Sequence, residues 1–302
     1  MKKYGNRILD DFLLEKQVNE GLSFKSLESY CSLFNFLIKD EIIKITDFPT
    51  YTTANFRSFL GNLFLDRKWS SSTYNTYRKN LKVFCKYLVR EGYLEKNPID
   101  EITKRKEEKK LPKTLTKQQV QELLAVINTI YDKGDKYINV RNQTMFHLLL
   151  YTGIRKSELM NLKIGDINVD EGYLKIRRGK GAKDRMVPLL GHLKLKINKY
   201  LRNRLKLKIC ENQNYLFCSR RGYQLSNRDM RKIIENMRYY LTFHLTWHML
   251  RHTFATELVR NNFDIYNISQ LLGHSKIETT KIYLSVDTHK IAQQMSRIQM
   301  FA

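Results

Sequence analysis

Between Ser23 and Glu41 the apolar residues Leu27, Tyr30, Phe34 and Leu37 recur at intervals of three or four, which puts them on one side of an α-helix. Phe56, Phe59, Leu60 and Leu63 repeat the pattern. After Ser70, Ser71 and Ser72 the periodicity sharpens: Tyr74, Tyr77, Leu81, Phe84 and Leu88 share one face, while Arg78, Lys82 and Lys86 follow one another on the other. The first face packs; the second either lies along a phosphate backbone or is a solvated charged surface. The helical pattern ends at Glu95, Lys96, Asn97 and Pro98, and KRKEEKK at 104–110 is too polar to bury before Leu111 and Pro112. These breaks predict a helical amino-terminal domain over 1–103 and a basic linker over 104–113.

Beyond the linker, Thr116 to Ile127 and Asn142 to Tyr151 read as helices, the second strongly apolar and stopped by Gly153 as a left-handed cap. A new helix begins near Ile154. Between 166 and 188 the period shortens to two: INV, YLKI and RMVPL are β-type runs separated by Glu171-Gly172 and by Gly179-Lys180-Gly181, which predicts a small antiparallel sheet with a tight turn. The remainder returns to helices. The fold class is therefore mainly α with a small antiparallel β-sheet, in two domains, the second over 114–285. Ile291, Met295 and Ile298, followed by Met300 and Phe301, form an apolar stripe in a terminal helix over 286–302, suited either to its own domain or to another protomer.

Composition adds a partner. At 302 residues and 42% hydrophobic content the chain can bury a large core, yet 54 Lys plus Arg against 30 Asp plus Glu leave a formal charge of +24. Such a charge opposes compaction unless a polyanion covers it, and nucleic acid, whose condensed counterions are released on binding, is the partner it implies, the alternative being a generally basic protein from an AT-rich, lysine-prone genome. Cys31, Cys85, Cys210 and Cys218 show no CxxC pair and no metal-ligand spacing, so they read as buried thiols in a reducing compartment. Asp10 and Asp11 interrupt the stretch that a signal peptide would keep apolar, and no run approaches membrane-spanning length; a cytoplasmic location is expected.

Candidate chemistry concentrates in four stretches: TGIRKSEL (152–159), RRGKGAKDR (177–185), HMLRHTFAT (248–256) and LLGHSKIETTKIY (271–283). Arg155 and Arg251 offer planar, permanently charged forks that can each hold two phosphate oxygens. Glu158 follows Arg155 by one helical turn, close enough to orient it or a neighbouring His, or to make an ordinary i to i+3 pair. His248 and Arg251, three apart, project from one helix face and can meet the same phosphate. His274 follows Leu271-Leu272-Gly273, and Ser275 with Glu278 reads as a capping box that sets His274 at a positive helix end.

Together the four stretches resemble the tyrosine recombinases, or phage-type integrases, and in particular the short Xer-type members, over essentially all of 114–285. The helical first domain resembles that family's SAM-like core-binding domain. The resemblance implies a C-shaped clamp around double-stranded DNA and a site made of Arg155, Lys180, His248, Arg251, His274 and Tyr283, with Glu158 in support. Tyr283, nine residues after the Gly-His-Ser motif, would be the nucleophile that forms a 3′-phosphotyrosyl link. His248 would manage its proton, Arg251 would clamp the phosphate, and Lys180, on a β-hairpin, would give a proton to the departing 5′-oxygen; Lys175 and Lys183 lie close enough to compete for that role. No metal, ATP or other cofactor is implied. Two protomers per site and four per synapse, of this chain or with a paralogous recombinase, are expected, linked by the terminal helix. Trp247 stands where members commonly carry proline, so the helix bearing His248 is expected to start slightly differently. The rivals are a type IB topoisomerase-like enzyme, a DNA-binding relative that has lost cleavage, and an RNA-binding protein; the last explains the charge but not the constellation.

Overall fold

The computed structural model describes residues 7–22, 24–39, 52–108, 111–131, 136–177, 184–207 and 214–273. The chain divides into two compact units, Met1–Lys109 and Lys110–Ala302. Helices dominate both, and a three-stranded antiparallel sheet lies in the second. Among the described residues no helix is long and apolar enough to cross a membrane.

The first unit is built from α1 (Arg7–Val18), α2 (Phe24–Lys39), α3 (Thr53–Asp66) and α4 (Ser71–Arg90). The apolar stripes meet around Phe12, whose ring lies edge-on to Tyr30, Phe34, Phe84 and Tyr87 at centroid distances of 5.1 to 5.8 Å. Ser70 caps α4 by accepting from the Thr73 N–H at 3.1 Å, the role serine favours at a helix start. The chain then folds back along α4. Asn97 donates to the Lys82 carbonyl at 3.0 Å, Ile99 and Ile102 are buried, and Asn75 exchanges two hydrogen bonds of 2.9 Å with the Arg105 backbone. The Arg105 guanidinium lies 3.6 Å from the centre of the Phe64 ring. The start of the expected 104–113 linker is thus fastened to this unit by Arg105 and by Glu107, which accepts from Asn75 at 2.7 Å.

This return corrects one expectation. Arg78 does not present its charge to solvent with Lys82 and Lys86: it is buried, and its guanidinium donates to the carbonyls of Ile102 and Ile99. Helical spacing placed it on the polar side of α4, but the returning segment covers that side and turns the arginine into a tie. Lys82 pairs with Asp100 at 2.6 Å, and Lys86 is exposed. The thiols split similarly: Cys85 and Cys218 are buried and Cys31 only partly, while Cys210 lies outside the described residues. Burial pushes the Cys85 thiol up to about 12, with the Asp100 charge adding to the shift.

In the second unit α5 (Lys117–Ile130) begins with a capping box between Thr116 and Gln119, and α6 (Lys136–Thr152) runs through the core against α8 (Gly191–Leu205) and α10 (Trp247–Arg260). Buried positions occur all round α6, polar Arg141, Asn142, Thr144 and His147 among them, so the helix shows no single apolar stripe. The predicted β-type runs form β1 (Ile167–Asn168), β2 (Tyr173–Ile176) and β3 (Arg185–Pro188) in the order 1-2-3. Leu174 pairs with Val187 and Ile176 with Arg185, so these four share a face, whereas Lys175 and Met186 share the opposite one. Short α7 (Lys156–Asn161), α9 (Asn227–Tyr239) and α11 (Ile265–Leu272) complete the unit.

Replacing Arg78 by Met would leave buried carbonyls short of donors, and we expect it to cost about 1–3 kcal/mol in urea unfolding. Lys86→Met, on the exposed side of the same helix, should stay within about 0.5 kcal/mol. Equal effects would refute the tie.

Candidate active site

Two glycine turns set the geometry of the site. Gly153 ends α6 with φ +62°, and a Cβ added there would fall 2.3 Å from the Phe254 ring, so both the backbone angle and the close approach of α10 demand glycine. The turn delivers Arg155 to the first position before α7. Gly273 ends α11 in the same left-handed conformation, directly before His274.

Three guanidinium groups converge on the end of α11. Arg185 donates through Nε to the Leu271 carbonyl at 2.7 Å, Arg251 through Nη2 to Leu272 at 2.8 Å, and Arg155 through Nη2 to Gly273 at 3.0 Å. A helix leaves its last carbonyls without intrahelical partners and carries partial negative charge there, so cations are the natural occupants. Arg251 also donates to the Gly153 carbonyl at 2.6 Å, tying the α6 turn to the α11 turn.

Glu158 joins two of these arginines. Its Oε1 accepts from Arg155 Nη1 at 2.8 Å and from Arg185 Nη1 at 2.9 Å; its Oε2 accepts from the Arg155 backbone N–H at 2.7 Å and from Arg185 Nη2 at 2.8 Å. The Glu158 and Arg185 side chains are only 12% and 8% exposed, against 37% for Arg155. Burial by itself would raise the Glu158 pKa, but the hydrogen bonds and charge of Arg185, followed by those of Arg155, outweigh it and hold the carboxyl down at about 2.

The structure thus brings together Arg155, Glu158 and Arg251. His248 lies on α10 one turn before Arg251 and is exposed; its ring stands 6.4 Å from that of His252, whose pKa is lowered by burial and by the charges of His248 and Arg251. Thr246 caps α10, and Trp247 at its first position stacks on Phe146 at 4.9 Å and donates to the Met230 carbonyl at 3.3 Å, so this start is anchored by an indole. Lys180, Lys183, His274 and Tyr283, with the capping box and the terminal helix, lie outside the described residues. Lys175 sits on the sheet face opposite Arg185 and pairs with Asp184 at 3.1 Å.

Sequence reading missed Arg185. A signal existed: strand alternation aligns it with the buried Val187, and a charge at an inward position requires a partner.

A family model described as the phage integrase family matches residues 113–290. The chain belongs to that family. It is 30% identical to the tyrosine recombinase XerD of Staphylococcus haemolyticus over 96% of this chain and 97% of that protein. The XerC of Thermodesulfovibrio yellowstonii is 32% identical, over 92% of this chain and 91% of that one. Among solved structures, XerH bound to its difH substrate before cleavage superimposes with a TM-score of 0.73 at 23% identity, covering 97% of this chain and 84% of that chain. The XerA recombinase gives 0.55 at 25% identity, covering 98% and 100%. The mainly helical fold with its small sheet is the fold of these tyrosine recombinases.

Because the Glu158 carboxyl is held below its ordinary 4.5, the stability it contributes is fully present above pH 4.5 and is lost as pH falls toward 2. A shift of this size corresponds to roughly 3 kcal/mol. Urea unfolding between pH 7 and pH 3 should show this acid destabilisation in the wild type and a visibly flatter profile for Glu158→Gln, which is already weaker at neutral pH.

Proposed function

We propose that the protein is a site-specific tyrosine recombinase that cleaves and rejoins double-stranded DNA through a 3′-phosphotyrosyl intermediate. The observation that carries this reading is the meeting of Arg155 and Arg251 on the Leu272 and Gly273 carbonyls, immediately before His274. Two guanidinium groups held by backbone acceptors at the end of α11 are pre-organised cations, which supports their use as a phosphate clamp.

In the proposed step the Tyr283 phenol oxygen attacks phosphorus and the 5′-oxygen departs. His248 takes up the phenol proton, Lys180 supplies one to the leaving oxygen, and Arg155, Arg251 and His274 carry the charge developing on the non-bridging oxygens. The placement of Lys175 away from Arg185 supports Lys180 over Lys175 as the acid; Lys183 is the remaining competitor. The phosphotyrosyl bond conserves the energy of the broken phosphodiester, so a hydroxyl from another duplex can reverse the step without ATP, and the permanent cations perform the charge neutralisation for which other phosphoryl-transfer enzymes use a metal. Glu158 fixes Arg155. Lys82 and Lys86 on α4 are assigned to phosphate contacts; Arg78 is not. The enzyme works in the cytoplasm, where its DNA is, as two protomers per site and four per synapse, with 286–302 as the connecting helix.

With a nicked suicide substrate in EDTA, wild type should form a covalent protein–DNA adduct on a denaturing gel and Tyr283→Phe should form none. An adduct that survives Tyr283→Phe, or one that requires Mg²⁺, would overturn the mechanism. Deletion of 288–302 should abolish synapsis while leaving binding to a single site; unchanged synapsis would remove the connecting role of the tail.

A further inference from the structure

The antiparallel strand pair β2–β3 is anchored on both of its legs. At its outgoing leg Arg177 pairs with Asp166, which is 2% exposed; at its returning leg Arg185 pairs with Glu158. The second anchor reaches further. The Arg185 guanidinium spends two N–H groups on both oxygens of Glu158 and a third on the Leu271 carbonyl, so one side chain on β3 fixes α7 and the end of α11 together. Glu158 also accepts from the backbone and side chain of Arg155, and Arg155 spends another donor on Gly273.

We infer that Arg185 is a positioning residue for phosphate capture by Arg155. Both arginines share Glu158, and the division of that carboxylate decides where Arg155 points. While Arg185 takes one lone pair on each oxygen, Arg155 can hold Oε1 with a single Nη and must direct the rest of its fork toward Gly273 and the site. If Arg185 is removed, Glu158 is left buried with one guanidinium partner, and the favoured arrangement becomes the bidentate fork in which Arg155 turns both Nη atoms onto the carboxylate. The arginine would then be withdrawn from the phosphate by satisfying its neighbour. A lysine cannot substitute for Arg185, because one ammonium is a point charge and does not hold two carboxylate oxygens and a carbonyl in a fixed plane.

This inference rests on the recombinase reading, and the experiment separates the two. Single-turnover cleavage of the nicked substrate is measured at saturating protein for wild type, Arg185→Met and Arg185→Lys, beside DNA affinity and thermal melting. Tyr283-dependent cleavage by wild type is the arm on which the recombinase reading stands or falls. Given that, Arg185→Met should bind DNA within about twofold of wild type yet cleave on the order of 10- to 100-fold more slowly, the loss expected when a catalytic group is displaced by an ångström. Arg185→Lys, which keeps a charge beside Glu158 and protects the fold should Met not be tolerated, should show the same split between binding and rate. A folded variant of either kind that cleaves at the wild-type rate, or one whose whole deficit lies in DNA affinity, would overturn the assignment.

Discussion

The carboxylate of Glu158 is the contact on which the catalytic unit is organised. It is a buried charge that stays ionised because two guanidinium groups, from α7 and from β3, share its oxygens. Losing either partner would leave the buried charge with one guanidinium in place of two and force that one to re-aim, which costs more than an exposed ion pair is worth. The price of burying it is therefore met by geometry, and that geometry holds a permanently charged arginine beside the turn that leads to His274.

The same logic explains why three arginines can crowd together despite their mutual repulsion. Each donates to a different carbonyl at the end of α11, where unpaired C=O groups and the helix dipole concentrate negative potential. Those carbonyls need donors, and the arginines need acceptors. Glycine at 153 and 273 lets the chain turn sharply enough to aim both loops at one point, and Phe254 occupies the space that any larger residue at 153 would need. A strong net positive charge thus does two jobs in this protein: part of it faces outward, and part of it is internal scaffolding.

The first unit shows that division again. Arg78 lies one turn from Tyr74 and has lost its solvent face to residues 99–102, while Lys82 and Lys86 on the following turns remain accessible. Arg105, from the run expected to be a basic linker too polar to bury, is laid across Phe64 and Tyr74.

By itself the sequence determined the helical stripes, the three short strands, the Gly153 cap and the order of the four motif stretches, because helix and strand periodicity, cap chemistry and motif spacing are local properties of the chain. Residue type and interval made Arg155, Glu158 and Arg251 candidates, and the family resemblance of the four stretches singled them out. Only the tertiary structure decided what each charge does. Arg78 is indistinguishable from a surface arginine until residues 99–102 cover it, strand alternation marks Arg185 as inward without naming its partner, and Glu158 could have served one partner or two. Burial and partnership are set by contacts between residues 20 to more than 100 positions apart, and it is these contacts, not charge, that decide whether an arginine is a buried tie or a surface cation.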